Sequence, residues 1–270
     1  MEKYFKDKVV FITGSSKGIG KATALLFGSY GAKVCINGRN VDSLEETYSE
    51  LKAKNVDCLQ LPGDVSDSKT CSKLMGQIID KYGKLDILIN NAGVSSHGRV
   101  RDLTIDAWDK VVGINLMGPV YMTSYALPHL LETKGSIIFI STLAGKVGMP
   151  GHSTYSVSKM GLNALSVAMQ VELEDTGVHT GIIYVGFTEN EENKQILCPD
   201  GTYKKIPERN LKKSTREEVA KTVARTIYKK KKSVTISTLG KLQGVAVRFF
   251  PFVVKIILRK ANRDYDNMYN

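Results

Sequence analysis

The chain reads as an α/β protein, a doubly wound parallel sheet with helices covering both faces. Three observations lead there. Short runs rich in β-branched residues alternate with longer runs of helical character as far as residue 237. A glycine segment, Thr13-Gly-Ser-Ser-Lys-Gly-Ile-Gly20, follows the first apolar run. Far downstream, Tyr155 and Lys159 stand four apart in Tyr-Ser-Val-Ser-Lys. The 270 residues are 42% apolar, enough for one sizeable core. No repeat, low-complexity block or linker marks a second domain. Residues 1–240 are therefore assigned to a single domain and residues 241–270 to a C-terminal extension.

The elements follow in order. Residues 8–13, Lys-Val-Val-Phe-Ile-Thr, read as a short buried strand. Residues 18–30 read as the helix after it. Strands are expected at 33–37, 56–61, 85–90, 136–141, 180–185 and 234–237. Helices are expected at 42–54, 67–82, 106–131, 153–176 and 215–230. In the last but one, Val157, Leu162, Leu165, Met169 and Leu173 have helical spacing. Strands that alternate with helices in this way imply a parallel sheet with crossover helices.

A strand, a glycine turn and a helix start make a phosphate cradle. Backbone N–H groups and the helix dipole attract a pyrophosphate, and glycine lets it come close. The spacing here is Gly-x-x-x-Gly-x-Gly, not the commoner Gly-x-Gly-x-x-Gly.

Residues four apart on a helix share a face, so Tyr155 and Lys159 should point the same way. A free tyrosine titrates near ~10, too high for easy proton exchange at neutral pH. A neighbouring ammonium favours the phenolate, so Lys159 is expected to lower the Tyr155 pKa towards the range of general acid–base catalysis.

These residues resemble the short-chain dehydrogenases/reductases over roughly residues 5–240. Thr13-Gly14-x-x-x-Gly18-Ile19-Gly20, Asn90-Asn91-Ala92-Gly93, Ser141 and Tyr155-x-x-x-Lys159 stand in the family's order and spacing, and Asn115 falls at its active-site asparagine. The resemblance implies a Rossmann-type sheet of about seven strands. It implies that Tyr155 is the general acid in reduction and the base in oxidation. Lys159 would hold the nicotinamide ribose and lower the Tyr155 pKa. Ser141 would stabilise the charge on the substrate carbonyl, and Asn115 would hold the water that reprotonates Lys159. Asn90 would steady the central strand. Gly14, Ser16, Lys17, Gly18, Ile19 and Gly20, with Asn91, Ala92 and Gly93, would line the cofactor site. Asp64 and Val65 would meet the adenine.

Cofactor choice is argued from charge. Where NAD users carry an acid at the end of the second strand this chain has Gly38, followed by Arg39. Arg39 and Lys17 suit a 2′-phosphate, so NADP(H) is the expected cofactor. The family's usual Pro-Gly after the sixth strand is replaced by Val185-Gly186-Phe187-Thr188. Gly186 still admits the nicotinamide, and Thr188 could bond its carboxamide. The loop at about 189–213 is polar and without clear periodicity, and is read as a substrate lid.

The net charge of +11 is uneven. Residues 200–270 hold 18 Lys and Arg against 6 Asp and Glu, leaving 20 against 21 in residues 1–199. On a single helix, Lys241, Arg248, Lys255, Arg259 and Arg263 would form a basic stripe beside Val, Phe, Ile and Leu. Such a helix suits a membrane interface. Arg248, Lys255 and Pro251 argue against a span, and Pro251 either kinks the helix or starts a shorter one. The apolar face could instead pack on the body or join copies into a homodimer or homotetramer. The tail has no recognisable nucleic-acid module, so no nucleic acid is expected.

Cys35, Cys58, Cys71 and Cys198 and the four histidines show no ligand spacing, so no metal is expected. With no signal peptide the expected setting is cytoplasmic, with a peripheral membrane contact as the variant of that reading. The function expected is an NADPH-dependent carbonyl reductase, reversible as an alcohol dehydrogenase, acting on a hydrophobic ketone such as a 3-keto lipid or steroid. A 3-oxoacyl-(carrier protein) reductase and a non-catalytic NADP(H)-sensing protein are the alternatives.

Overall fold

The computed structural model describes residues 1–189, 194–206 and 213–269, with side chains to residue 265. After a short N-terminal helix, α1 (Glu2–Phe5), the chain runs β1 (Val9–Ile12), α2 (Gly18–Ser29), β2 (Lys33–Gly38), α3 (Val41–Ala53), β3 (Cys58–Pro62), α4 (Ser68–Tyr82) and β4 (Ile87–Asn90). It continues through β5 (Ser95–Ser96), α5 (Ile105–Val112), α6 (Gly118–Thr133), β6 (Ser136–Thr142), α7 (Ser153–Glu172) and β7 (His179–Val185). Then come β8 (Gln195–Leu197), β9 (Tyr203–Lys205), α8 (Arg216–Tyr228), β10 (Ser233–Thr235), α9 (Thr238–Phe249) and α10 (Pro251–Tyr269).

Seven strands form one parallel sheet in the order β10-β7-β6-β4-β1-β2-β3. Successive strand residues point to opposite faces, and both faces are apolar. Val10 and Ile12 pack with α2, α3 and α8 on one side. Val9 and Phe11 pack with α4, α6 and α7 on the other. The order reverses between β1 and β4, the place where open α/β sheets leave a crevice at the carboxyl ends of their strands.

Three expectations change. The helix at 106–131 is interrupted by a π turn, Gly113–Met117, which takes an extra residue per turn and re-aims Asn115. Gly118 follows it and packs on Val65, where a Cβ would stand 2.9 Å from Val65 Cγ2. The lid has structure of its own: β8 pairs with β5 in parallel and with β9 in antiparallel fashion. Tertiary pairing with β5 makes that segment a sheet despite its weak pattern, and Leu197 packs on Ala107 and Val111. The expected lid also spans residues 190–193 and 207–212, which lie outside the described residues. Finally, the extension is two helices, broken at Phe250 (φ −132°, ψ 53°). Pro251 opens the second, where its missing N–H costs no helical bond.

Candidate active site

A cleft of about 1090 Å³ lies at the crevice. The glycine turn forms one wall. Gly14 (φ +62°) and Gly18 (φ +58°) are left-handed, a conformation that glycine reaches at little cost. Asn91 joins the turn to the end of β4: its Nδ2 donates to Thr13 O (3.0 Å) and Gly14 O (2.8 Å). Thr13 Oγ1 accepts from the N–H groups of Asn91 and Ala92, both at 3.0 Å. Gly14, Ser16, Lys17, Gly18, Ile19, Asn91, Ala92 and Gly93 line the cleft. Gly20 is buried behind it, where a Cβ would run into Gly14 O and Asn91 Nδ2. α2 begins with no side-chain cap, which leaves its first N–H groups for an anion.

At the end of β2, Gly38 is buried, and a Cβ there would collide with Ser16 Oγ. Arg39 and Asp64 are both partly exposed, and Arg39 Nη1 lies 3.5 Å from Asp64 Oδ2. The other oxygen of Asp64 accepts from Ser66 N (2.9 Å) and Ser66 Oγ (2.8 Å). Arg39, Asp64 and Val65 all line the cleft.

α7 carries Tyr155 and Lys159 one turn apart, both facing the cleft. Burial pushes the Tyr155 hydroxyl up to about 12, against the pull of the nearby Thr142 and Ser95 hydroxyls. Burial also brings the Lys159 amine down to about 8. Lys159 Nζ donates to Ile140 O at 3.1 Å. The expected lowering of the Tyr155 pKa by Lys159 is thus not found: among the chain's own groups, desolvation of the phenol outweighs every contact that favours its anion.

Two strand-end hydroxyls, Ser141 and Thr142, stand on the cleft wall. Ser141 is buried, and its hydroxyl turns towards Lys159 O at 3.4 Å. Its neighbour Thr142 is, with Ser95, one of the two hydroxyl side chains that favour the Tyr155 phenolate. Thr142 Oγ1 also accepts from Ala144 N at 3.0 Å.

Asn115 does not line the cleft. Its Oδ1 accepts from Val94 N (2.8 Å), and its Nδ2 donates to Val94 O (3.0 Å) and Ser158 Oγ (3.3 Å). It holds the strand of backbone beyond Gly93. A Cβ on Gly93 would lie 3.2 Å from Asn115 Oδ1 and 3.4 Å from Lys159 Nζ, so a side chain there would fill the space in front of the lysine. Asn90, at the end of β4, donates to Thr123 Oγ1 at 3.1 Å.

Gly186, Phe187 and Thr188 form the far wall. The absent proline is offset by pairing: Ser214 N donates to Phe187 O (2.9 Å) and Glu189 N to Ser214 O (3.1 Å). Thr188 Oγ1 is buried with no hydrogen-bond partner among the described residues. An orphaned hydroxyl in a cleft wall fits a ligand amide. Sequence reasoning missed Thr142, Ser95, Ile196 and Tyr203 as cleft residues. Ser95 and Ile196 become neighbours only when β5 pairs with β8. The four cysteines are buried and free.

The open glycine turn, the space before Gly93 and the free Thr188 hydroxyl fit a nicotinamide dinucleotide. Together with the Tyr155–Lys159 pair they define a dinucleotide-dependent oxidoreductase. Residues 8–198 match the short chain dehydrogenase family, and the chain belongs to that family. It is 32% identical over 251 residues to the Mus musculus dehydrogenase/reductase SDR family member 7B, covering 91% of this chain and 78% of the relative. An uncharacterized oxidoreductase of Thermotoga maritima is 34% identical over 188 residues, 69% of this chain and 74% of the relative. Among solved structures, a metagenomic short-chain oxidoreductase in complex with NADP superposes with TM-score 0.71 at 26% identity, covering 86% of this chain and 98% of that one. A Streptomyces avermitilis short-chain dehydrogenase shares the fold with TM-score 0.81 at 20% identity, covering 96% and 98%.

Proposed function

We propose that the chain is an NADPH-dependent carbonyl reductase, reversible as an alcohol dehydrogenase, whose substrate is a hydrophobic ketone of the 3-keto lipid or steroid kind. The observation that carries this reading is the Tyr155 hydroxyl, flanked by Thr142 on the wall of the dinucleotide cleft. NADPH, held between the glycine turn, Gly93 and Thr188, would supply a hydride for the carbonyl carbon. Tyr155 gives its proton to the carbonyl oxygen. A phenol held at about 12 stays protonated at neutral pH, and an alkoxide is the stronger base, so the donor is loaded for reduction. Of the two strand-end hydroxyls on the cleft, Thr142 is assigned the stabilisation of the developing oxyanion, with the neighbouring Ser141, where the family resemblance puts this role, as the alternative. Lys159 binds the ribose and replaces the proton that Tyr155 gives up. Asn115 positions the Gly93–Val94 backbone beside Lys159. Thr188 binds the carboxamide.

Three features support NADP(H) over NAD(H). Arg39 and Lys17 lie on the cleft, the guanidinium suits a phosphate, and Gly38 stands where an acid would bind the ribose 2′-hydroxyl of NAD. The NADP-bound metagenomic relative agrees with this choice. Phe187, Ile196, Tyr203 and Ile206 line the same cleft and favour an apolar substrate. A homodimer or homotetramer is supported by the outward row Val157, Met160, Val167 and Val171 of α7, all exposed and at helical spacing on one face.

The test is NADPH oxidation by the purified chain over ketones from small polar to long-chain and steroidal, with Tyr155→Phe beside it. Turnover of apolar ketones that is lost in the variant is the expected result. Turnover of small polar ketones alone would overturn the substrate class. NADPH binding without any turnover, unchanged by Tyr155→Phe, would identify a sensing protein instead.

A further inference from the structure

Residues 238–263 hold six Lys and Arg and no Asp or Glu. The two helices they form are seated on the body by narrow contacts. On α9, Gly240 fits where a Cβ would meet Leu143 and Thr235, and Gln243 Nε2 donates to Leu143 O at 3.4 Å. On α10, the Tyr265 hydroxyl meets His97 Nδ1 at 3.1 Å, and the Arg99 guanidinium lies 5.3 Å over the Tyr265 ring. Val254, Leu258 and Ala261 are the partly buried side of α10.

The opposite side carries larger apolar groups with nothing over them. Leu242, Val245 and Phe249 of α9 and Phe252, Ile256 and Ile257 of α10 are each about half to three-quarters exposed, from 49% to 72%. Leu242, Val245 and Phe249 share one face of α9, Phe252 and Ile256 share one face of α10, and Ile257 stands on the flank of α10 beside Val253. A row of this size left in water marks an interaction surface.

We propose that the α9–α10 arm docks in the interface of a membrane rich in anionic lipid, with the apolar row entering the acyl boundary and the cations meeting headgroups. The charge selects this occupant. A second copy of the arm, paired about a two-fold axis, would set six cations against six. An anionic headgroup layer complements them. Among the described residues no helix is long and apolar enough to cross a membrane, and the outward surface of the arm instead combines exposed apolar side chains with cations, as in a segment that lies in the interface plane. The seats of the arm also border the cleft. Leu143 follows Thr142, and Tyr265 packs on Gly151 beside His152, with Thr142 and His152 both lining the cleft. Docking would therefore bring the cleft close to the lipid layer, whatever the substrate is.

The full chain is sedimented with vesicles of phosphatidylcholine alone and of phosphatidylcholine mixed with phosphatidylserine, at low and high salt. The expected result is partition into the anionic vesicles at least about tenfold stronger than into the neutral ones, weakened by salt. Phe252→Asp with Ile257→Asp should abolish it, since both side chains are exposed and the fold does not need them. Lys255→Gln with Arg259→Gln should weaken partition into the anionic vesicles alone. Equal partition into both vesicle types, or none into either, overturns the proposal. Absent partition together with an oligomer that Phe252→Asp and Ile257→Asp disperse would assign the arm to a copy interface.

Discussion

Replacing Thr142 separates the two strand-end hydroxyls. In Thr142→Val the side-chain shape is kept and the donor beside Tyr155 is removed. Loss of one donor aimed at a developing oxyanion lowers kcat by about 10²–10³, about 2.7–4 kcal/mol. The same change removes the acceptor for Ala144 N at 3.0 Å, which costs roughly 1 kcal/mol of stability. Thr142→Ser keeps the hydroxyl and should stay within about tenfold of the parent. In Ser141→Ala the only bond lost among the described residues is the 3.4 Å contact to Lys159 O, at the outer edge of hydrogen bonding. Its kcat should hold within about threefold, because a net bond of this kind is worth about 0.5–1.5 kcal/mol and is made in every state alike. The assay is steady-state ketone reduction at saturating NADPH, with a urea melt of each variant to show that the fold is kept. If Ser141→Ala fell by hundreds while Thr142→Val kept its rate, the oxyanion role would return to Ser141 and the assignment of Thr142 would fail.

Lys159 offers a pH test that needs no substrate. Its folded pKa of about 8 lies below the ordinary 10.5, so between those values the unfolded chain binds more protons here and stability rises with pH. Relative to Lys159→Met the parent should gain on the order of 3 kcal/mol as pH rises through this window, read from urea unfolding at stepped pH; a flat difference would mean the amine is hydrated and not depressed. Arg39→Ala should raise the KM for NADPH about tenfold and leave NADH within about twofold, since the guanidinium is half-exposed and shared with Asp64; equal effects on both cofactors would remove Arg39 from phosphate binding. Val167→Glu with Val171→Glu should turn an α7-paired oligomer into smaller species by sedimentation velocity, whereas an unchanged assembly would place the interface elsewhere.

Much of this protein is written in local pattern. The order of strands and helices, the glycine turn after β1 and the shared face of Tyr155 and Lys159 follow from periods of 2.0 and 3.6 residues and from the backbone freedom of glycine. All of these act within about twenty residues, so they can be read before the chain folds. The absence of an acid at Gly38 and the basic bias of the C-terminal third are likewise plain in the sequence. Other features had to wait for the tertiary structure. Ile-Ser-Thr presents two adjacent hydroxyls, and only the sheet and α7 together bring them to one cleft with the phenol. The direction of the Tyr155 shift depends on water excluded by segments distant in sequence, so an argument from Lys159 alone had the wrong sign. The π turn at Asn115, the pairing of β5 with β8 and the break at Phe250 arise from partners that the local pattern does not name. Sequence settles what depends on neighbours along the chain, and the fold decides what depends on facing, desolvation and contact across it.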